Sequence, residues 1–256
     1  MPFPRQIHRP TTPAEAAALL QQPGTLPLEL GPRVPLDPYA EAESVVDLSR
    51  LGLDYIRADE DAIRIGPLTP LQSLVESEVI RAHAGGLLAR AAQLVAHLGL
   101  RHIATIGAAR RATDGPPEVR LALLVLDAAT TTNSPLAELT LPRRPGIRAA
   151  LERIARTPRD EAIVAAAVSL TLHEGVCREV RVALAGACPQ PRRFAEVEAV
   201  LEGQAPTANV LQHAAEAAVA TADPVADYRG SAEYRRAMAG VLVRRAVEAV
   251  GRAVAV

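Results

Sequence analysis

The chain has 256 residues, 49% of them hydrophobic, so it can bury a sizeable core in one large domain or two smaller ones. Aromatic residues make up only 2% of it, which leaves few rings to stack on a flat ligand. A formal net charge of -1 lacks the basic excess that nucleic-acid binding needs, no apolar run is long enough to span a membrane, and residues 1–10 lack the apolar core of a signal peptide. We therefore expect a soluble, cytoplasmic protein.

The first half of the chain predicts short helices and strands in alternation. Thr12 is a typical N-cap and Pro13 a typical first helical residue, so a short helix is expected after them. Prolines recur between Pro23 and Pro38 and predict an irregular segment, because proline cannot donate to a β-ladder. The remaining pattern predicts strands at 45–48, 53–56 and 62–66, a helix after Pro70 and another over 86–98.

The stretch from Leu94 to Asp127 predicts a phosphate-facing loop. It opens as a helix, is expected to turn at Gly99, and crosses a tight loop at 105–108 before a second apolar run. A glycine in such a loop lets backbone N–H groups approach a phosphate closely. A single Thr-Ile-Gly also fits an ordinary turn, so this motif depends on support from the rest of the chain.

The second half predicts a β-hairpin followed by helices. The hairpin strands are expected at 161–173 and 176–184, with a turn at His173-Glu174-Gly175. Ser231 is a plausible N-cap for a long C-terminal helix. A domain boundary is placed near residue 157, giving domains 1–157 and 158–256. The other predicted elements are helices at 120–126, 147–156, 193–201 and 208–220 and a strand at 130–132.

Cysteine and histidine spacing gives no sign of a metal or hydrolase site. Cys177 and Cys188 have no His or Cys neighbour at ligand spacing, so small buried thiols are expected. The six histidines are scattered and form no His-Glu-x-x-His pattern. Neither a bound metal nor a catalytic residue is predicted.

Four segments carry a resemblance to a known family: VDLS at 46–49, LDYI at 53–56, LRHIATIG at 100–107 and DYRGSAEYRR at 227–236. In this order they resemble the medium, FAD-binding subunit of molybdenum hydroxylases, the family of bacterial carbon monoxide dehydrogenase and xanthine dehydrogenase. The resemblance spans nearly the whole chain, and the C-terminal segment is its most specific part.

The resemblance implies an α+β fold, with an N-terminal flavin-binding domain of two subdomains and a C-terminal three-stranded antiparallel sheet with a helix bundle. It also implies FAD as the cofactor. The implied partners are a large molybdopterin-binding subunit, which oxidises the substrate, and a small iron–sulfur subunit, which relays electrons. The medium subunit would then pass these electrons to an acceptor through the flavin.

The chain departs from the family at both loops that hold the FAD pyrophosphate. The family's first loop is similar to Ala-Gly-Gly-x-Ser/Asp, whereas residues 26–30 here are Leu-Pro-Leu-Glu-Leu. Pro27 has no N–H to offer, and Glu29 brings a negative charge towards the pyrophosphate. The second loop is similar to Thr-Ile-Gly-Gly-Asn in the family, but Ala108 and Ala109 replace its last two residues.

The candidate cofactor-binding residues therefore cluster at the second loop and just after it. Arg110 and Arg111 can replace lost backbone contacts with charge, or form a solvated turn. Asp114 and Glu118 match acidic positions that help to fix the cofactor in the family, although Asp114 also fits an Asx turn. The full candidate set is Thr105, Ile106, Gly107, Ala108, Arg110, Arg111 and Asp114.

Two functional hypotheses follow. In the first, the chain is a working flavoprotein subunit that transfers electrons through FAD. In the second, it is a divergent structural or interaction subunit that binds little or no flavin. The visible spectrum of the purified protein distinguishes the two.

Overall fold

The computed structural model describes residues 4–29, 31, 39, 42–95, 97–113, 115–158 and 160–252, with only the backbone of residue 252. Within these ranges the chain forms three β-sheets with helices packed on them. The implied α+β class is confirmed, with two subdomains in the N-terminal part and a sheet with three helices in the C-terminal part. No helix in the described ranges is long and apolar enough to cross a bilayer.

The first N-terminal subdomain is a small parallel sheet covered by one helix. Its elements are β1 (Gln6–His8), α1 (Pro13–Leu20), β2 (Thr25–Leu28) and β3 (Ser44–Asp47). Strand β3 lies between the other two strands and runs parallel to both. Helix α1 begins as predicted, because the Thr12 hydroxyl accepts a hydrogen bond from the N–H of Glu15 at 3.2 Å. Ala16 of this helix belongs to a small core with Val46 and Leu48.

The prediction of an irregular proline segment is wrong for residues 25–28, which form β2. Pro27 lies opposite Val46 in the ladder with β3. Strand β2 is at the edge of its sheet, where one side needs no partner and proline is tolerated. Residues 30 and 32–38 of this segment lie outside the described ranges.

The second N-terminal subdomain combines an antiparallel sheet with six short helices. Its strands are β4 (Ile56–Ala58), β5 (Ala62–Ile65) and β6 (Leu139–Pro142). Its helices are α2 (Leu71–Glu76), α3 (Glu78–Ala82), α4 (Leu87–Gln93), α5 (Leu98–Ile103), α6 (Ile106–Arg111) and α7 (Glu118–Val125). Aliphatic side chains from both layers form one core, among them the fully buried Leu74, Leu87 and Leu121. Burial of these side chains holds in position the helices that carry the candidate site.

The C-terminal part is an antiparallel sheet with a bundle of three helices. The strands are β7 (Arg148–Ile154), β8 (Val164–His173), β9 (Val176–Ala185) and the two-residue β10 (Arg192–Arg193), in the order β10-β9-β8-β7. The helices are α8 (Ala195–Leu201), α9 (Ala208–Thr221) and α10 (Ala232–Arg252). The predicted hairpin is confirmed, and its turn residues Glu174 and Gly175 have φ values of 50° and 79°, as a type I′ turn requires.

Strand β8 joins the two halves of the molecule because both of its faces are buried. Val164 and Val168 belong to the core under the C-terminal helices. Ala165 and Ala167 point the other way, into the core of the second N-terminal subdomain. Small residues on that face let helix α7 lie close to the sheet, where the Ser169 hydroxyl donates to the carbonyl oxygen of Val125.

The predicted helix at 147–156 is wrong, since these residues form strand β7. The segment has good helix formers, but it pairs along its whole length with β8, from Arg148 opposite Leu170 to Ile154 opposite Val164. This tertiary pairing outweighs local propensity. The boundary near residue 157 remains a prediction. The pairing leads us to propose instead that the C-terminal domain begins just before Arg148.

Two other local predictions are wrong. Gly99 lies inside α5 rather than at a turn. Residues 130–132 form no strand, and the strand that pairs with β5 comes later, at β6. Just before these residues, Ala129 makes an isolated bridge to Thr140.

Near its start, helix α10 buries an arginine and leaves a tyrosine partly exposed. Tyr234 is 40% exposed, whereas Arg235 is only 3% exposed. Leu242 is fully buried with Val243 and Ala246. The contacts of α10 with β8 and α9 therefore depend on small aliphatic residues and not on the tyrosine.

Replacing Leu242 by alanine should lower the free energy of unfolding by about 2–5 kcal/mol, because it leaves a cavity in a core that cannot fully collapse. Urea denaturation of the purified chain measures this loss. The matched control is Arg244→Ala, at an exposed position of the same helix, which should change stability by less than about 0.5 kcal/mol. Equal, small effects from both substitutions would contradict the packing of α10.

Candidate functional site

The predicted glycine loop at 105–108 is the first turn of helix α6. Thr105 is the N-cap, and its hydroxyl accepts a hydrogen bond from the N–H of Ala108 at 3.3 Å. The N–H of Ile106 donates to the carbonyl oxygen of Thr69 at 2.9 Å. These N–H groups, which were expected to face a phosphate, already have acceptors within the chain.

Gly107 is required by packing at this turn. Its N–H donates to the carbonyl oxygen of Pro67 at 2.9 Å. A Cβ at this position would lie 2.7 Å from the same oxygen, closer than real Cβ atoms approach. The presence of glycine here is explained by the contact with Pro67, without a bound phosphate.

An ion pair connects the first loop to the second. Glu29 follows β2, and its carboxylate pairs with the guanidinium of Arg111 at the end of α6. The two side chains are only 12% and 16% exposed. The N–H of Glu29 donates to the Tyr39 hydroxyl at 3.2 Å, and that hydroxyl donates back to the Glu29 carbonyl oxygen at 3.1 Å. Arg111, predicted to hold a phosphate, thus has a carboxylate of its own chain as its partner.

The cavity between the two loops has a volume of about 560 Å³ and an acidic lining. Glu29, Asp47 and Asp54 contribute carboxylates, and the other residues around it are apolar or neutral. Hydrogen bonds from Ser49 lower the pKa of Asp47, and a more distant Arg9 adds to this. A doubly charged pyrophosphate would meet only like charge on the described walls of this cavity.

The remaining candidates lie apart from that cavity. Arg110 donates from Nη1 to the amide oxygen of Asn133 at 3.0 Å and faces a second cavity beside α7. Asp114 lies outside the described ranges, so its predicted role stays untested. Glu118 is 1% exposed, and its Oε1 lies 2.9 Å from Nε of Arg153 in β7. The structure therefore brings Arg111 to the first loop, but Arg110 and Glu118 face elsewhere.

A charge cluster around Asp127 is a feature that the sequence did not predict. Asp127 follows α7 and has a positive φ of 51°. Its carboxylate pairs with Arg144, Arg181 and Arg193 at 3.3, 3.1 and 3.1 Å. Arg144 precedes β7, and the other two arginines belong to the C-terminal sheet, so Asp127 joins the end of α7 to that sheet.

Two family models together match nearly the whole chain. Residues 3–144 match the FAD binding domain in molybdopterin dehydrogenase, and residues 149–250 match the CO dehydrogenase flavoprotein C-terminal domain. The chain belongs to this family. The assignment to the medium-subunit family of molybdenum hydroxylases, made from the sequence, is confirmed.

The similarity extends over full-length relatives. The carbon monoxide dehydrogenase medium chain of Hydrogenophaga pseudoflava is 29% identical, covering 95% of this chain and 96% of the relative. The corresponding medium chain of Afipia carboxidovorans is 31% identical, covering 94% of each. A solved structure of the Hydrogenophaga pseudoflava carbon monoxide dehydrogenase superposes with a TM-score of 0.86 at 28% identity, covering 98% of this chain and 99% of that one.

The family is an FAD-binding one, but the residues at these two loops do not fit a pyrophosphate. The N–H groups of Ile106, Gly107 and Ala108 are bonded within the chain, and Pro27 has none. The cavity between the loops is acidic, and Glu29 pairs with Arg111. No electron-transfer step is therefore assigned to these residues.

The segment at 227–236 that carries the resemblance has a structural role. Asp227 accepts hydrogen bonds from Nε and the backbone N–H of Arg229, at 2.9 and 2.8 Å, and pairs with Arg235. Arg235 also donates to the carbonyl oxygen of Ile163 at 2.5 Å. Burial alone would raise the pKa of Asp227, but the bonds from the two arginines outweigh it and lower that pKa to about 2.

Replacing Asp227 by asparagine should lower the free energy of unfolding by about 1–2 kcal/mol at pH 7. This value is smaller than the pKa shift alone would give, because the carboxylate is 31% exposed and solvent screens its charge. The folded-state pKa is lowered, so this stabilisation is present above the unfolded value of 3.8 and is lost as the pH falls towards 2. Urea denaturation at pH 7 and at pH 3.5 should show the gap between wild type and variant shrinking at the lower pH. A gap that widens on acidification would contradict this role.

Proposed function

We propose that the chain acts as the medium subunit of a complex with a large molybdopterin-binding subunit and a small iron–sulfur subunit. Relatives that it matches over nearly their full length are medium chains of such enzymes. Another relative, a subunit of the 6-hydroxypseudooxynicotine dehydrogenase complex of Paenarthrobacter nicotinovorans, is 32% identical over 78% of this chain and 77% of its own length. We also propose a cytoplasmic location for the complex.

Affinity purification of the chain from its native source should bring down one iron–sulfur protein and one large molybdenum protein. Elemental mass spectrometry of the isolated assembly should find iron and molybdenum in fixed ratios to the amount of the chain. Recovery of the chain only as a free monomer with turnover of its own would show that the proposal is wrong.

Within that complex, we propose that the chain binds FAD weakly. The observation that carries this proposal is the Glu29–Arg111 ion pair, which gives Arg111 an anionic partner from the chain itself. The same observation favours the second hypothesis, a structural or interaction subunit with little or no flavin. The amount of FAD released from the intact purified complex by denaturation, measured by its fluorescence relative to the amount of the chain, distinguishes the two roles.

A further inference from the structure

A cavity of about 790 Å³ lies beside helix α3, and we call it the α3 cavity. It is bounded by α3, by the turn between β4 and β5, and by the connection from β6 to β7. Ile63, Val79 and Ile147 form an apolar wall, and Val79 is 40% exposed, so this wall is open to a ligand. The volume is within the range of small-molecule sites.

Charges of both signs line the α3 cavity without pairing with one another. The carboxylates of Glu60 and Glu78 have no ion-pair or hydrogen-bond partner in the described part of the chain. Arg143 also lines the cavity and has no carboxylate partner within the same ranges. Arg144 is different, because it pairs with Asp127 at 3.3 Å and its charge already has a partner. The cavity therefore offers one unpaired cation and two unpaired anions.

Arg143 and Glu60 are neighbours that do not contact each other. The N–H of Arg143 donates to the carbonyl oxygen of Asp61 at 2.7 Å, and its Nη1 donates to the carbonyl oxygen of Asp59 at 2.7 Å. Glu60 lies between these two acceptors in the chain, yet no ion pair joins its carboxylate to the guanidinium. A ligand with an ammonium group and a carboxylate on neighbouring atoms can meet both side chains at once.

His83, which follows the last residue of α3, adds a neutral polar group to the lining. Burial lowers its pKa, and the positive charges of Arg143 and Arg144 lower it further, so the ring is uncharged at pH 7. Its Nε2 is buried without a hydrogen-bond partner among the described residues. An uncharged imidazole does not repel the ammonium group of a ligand.

We propose that the α3 cavity binds a free amino acid with a large apolar side chain. The carboxylate of the amino acid meets Arg143, its ammonium group meets Glu60 and Glu78, and its side chain packs on the apolar wall. Unpaired charges of both signs favour a ligand that carries both over a simple anion or cation, because each charged group then has a partner when it loses hydration. The described residues around this cavity are all different from those around the cavity between the two loops, so the inference goes beyond the proposed function.

Equilibrium dialysis of the full chain with radiolabelled L-phenylalanine at low salt tests the proposal. We expect saturable binding to one site per chain, weakened by added salt. Phenylpropionate lacks the ammonium group and phenethylamine lacks the carboxylate. Each should compete about tenfold less well than unlabelled L-phenylalanine, because each leaves one charged side chain of the cavity without a partner.

Glu78→Gln and Arg143→Gln should each weaken L-phenylalanine binding by about fivefold or more. Arg143 also holds the carbonyl oxygen of Asp59, so melting temperatures establish that its variant is folded. The Glu78 carboxylate has no such contact in the described ranges, so that variant tests the proposal without this complication. The matched controls Glu196→Gln and Arg244→Gln, at exposed positions on α8 and α10, should leave the dissociation constant unchanged.

Three results would overturn the proposal: no saturable binding of L-phenylalanine, wild-type affinity in Glu78→Gln or in folded Arg143→Gln, or equal competition by phenethylamine. The last result would show a site for a simple cation. The experiment needs neither FAD nor the partner subunits, so its failure leaves the medium-subunit proposal intact.

Discussion

Replacing Arg153 by methionine should lower the free energy of unfolding by about 3–5 kcal/mol at pH 7. Arg153 in β7 is the ion-pair partner of Glu118, whose carboxylate is 1% exposed at the start of α7. Without the arginine, that carboxylate stays buried with no cation to offset its lost hydration. Because this ion pair joins helix α7 to strand β7, the loss should also weaken the contact between α7 and the C-terminal sheet.

Replacing the other partner, Glu118, should lower the free energy of unfolding much less. In Glu118→Gln the charge is removed from the buried position, and Arg153 keeps hydrogen bonds to the carbonyl oxygens of Pro158, at 3.0 Å, and Asp160. The double variant should lie within about 1 kcal/mol of wild type, since buried ion pairs contribute little net stability over neutral groups of similar size. Urea denaturation of the four proteins forms a double-mutant cycle.

The pH dependence gives this cycle a second readout. Burial raises the pKa of Glu118, and Arg153 opposes that rise. A carboxyl group with a raised folded-state pKa contributes stability that is full below the unfolded value of 4.5 and is lost as the pH rises through the folded value. Arg153→Met should therefore be less damaging at pH 5 than at pH 7. The ion-pair explanation would be contradicted by an equal loss of unfolding free energy at pH 5 and pH 7, or by a loss that persists in the double variant.

The fold was predictable where short-range signals act alone. The Thr12 cap and the turn at Glu174-Gly175 both depend on residues within four positions of each other, and both are confirmed. Residues 148–154 show the limit of this approach. Their composition favours a helix, and only the distant partner strand β8 makes them a strand. Likewise, Pro27 is compatible with β2 only because that strand is at an edge, which no local pattern reveals.

The candidate site was predictable in its location but not in its contacts. The sequence indicated which loops had lost their glycines, and the resemblance gave their role. It could not indicate that Glu29 meets Arg111, since the two are 82 residues apart. Nor did it show that Arg235 is buried, because an arginine in a helix usually reaches solvent. A charged residue inside an otherwise apolar helix pattern was the only available signal.

The affinity of the unmodified chain for FAD should be about two to four orders of magnitude lower than that of a site with both loops intact. The two loops now offer a proline, a paired carboxylate and N–H groups that already have acceptors. Losing two charge-assisted hydrogen bonds, at about 1.5–3 kcal/mol each, accounts for a difference of this size. FAD should then dissociate during purification and leave a colourless protein.

Rebuilding the first loop should reverse part of this loss. Pro27→Gly restores a backbone N–H, and Leu28→Gly removes a side chain so that a phosphate can approach the backbone closely. Glu29→Gln removes the carboxylate that pairs with Arg111. Titration calorimetry with FAD should show tighter binding by the triple variant and a smaller gain for Glu29→Gln alone. The control Glu196→Gln, at an exposed position on α8, should bind like wild type. Melting temperatures report whether each variant remains folded.

A gain in FAD affinity has two possible explanations, the release of the Arg111 guanidinium and new contacts from the loop backbone, and replacing Arg111 distinguishes them. If Glu29→Gln acts by releasing this guanidinium, then adding Arg111→Ala should abolish the gain, because the positive charge that the phosphate would meet is gone. If the gain persists, the new affinity comes from the loop backbone alone. Tight FAD binding by the unmodified chain would disprove the prediction. It would point to Arg110 and Arg111 as replacements for the lost loop contacts, and in that case alanine at both positions should abolish binding.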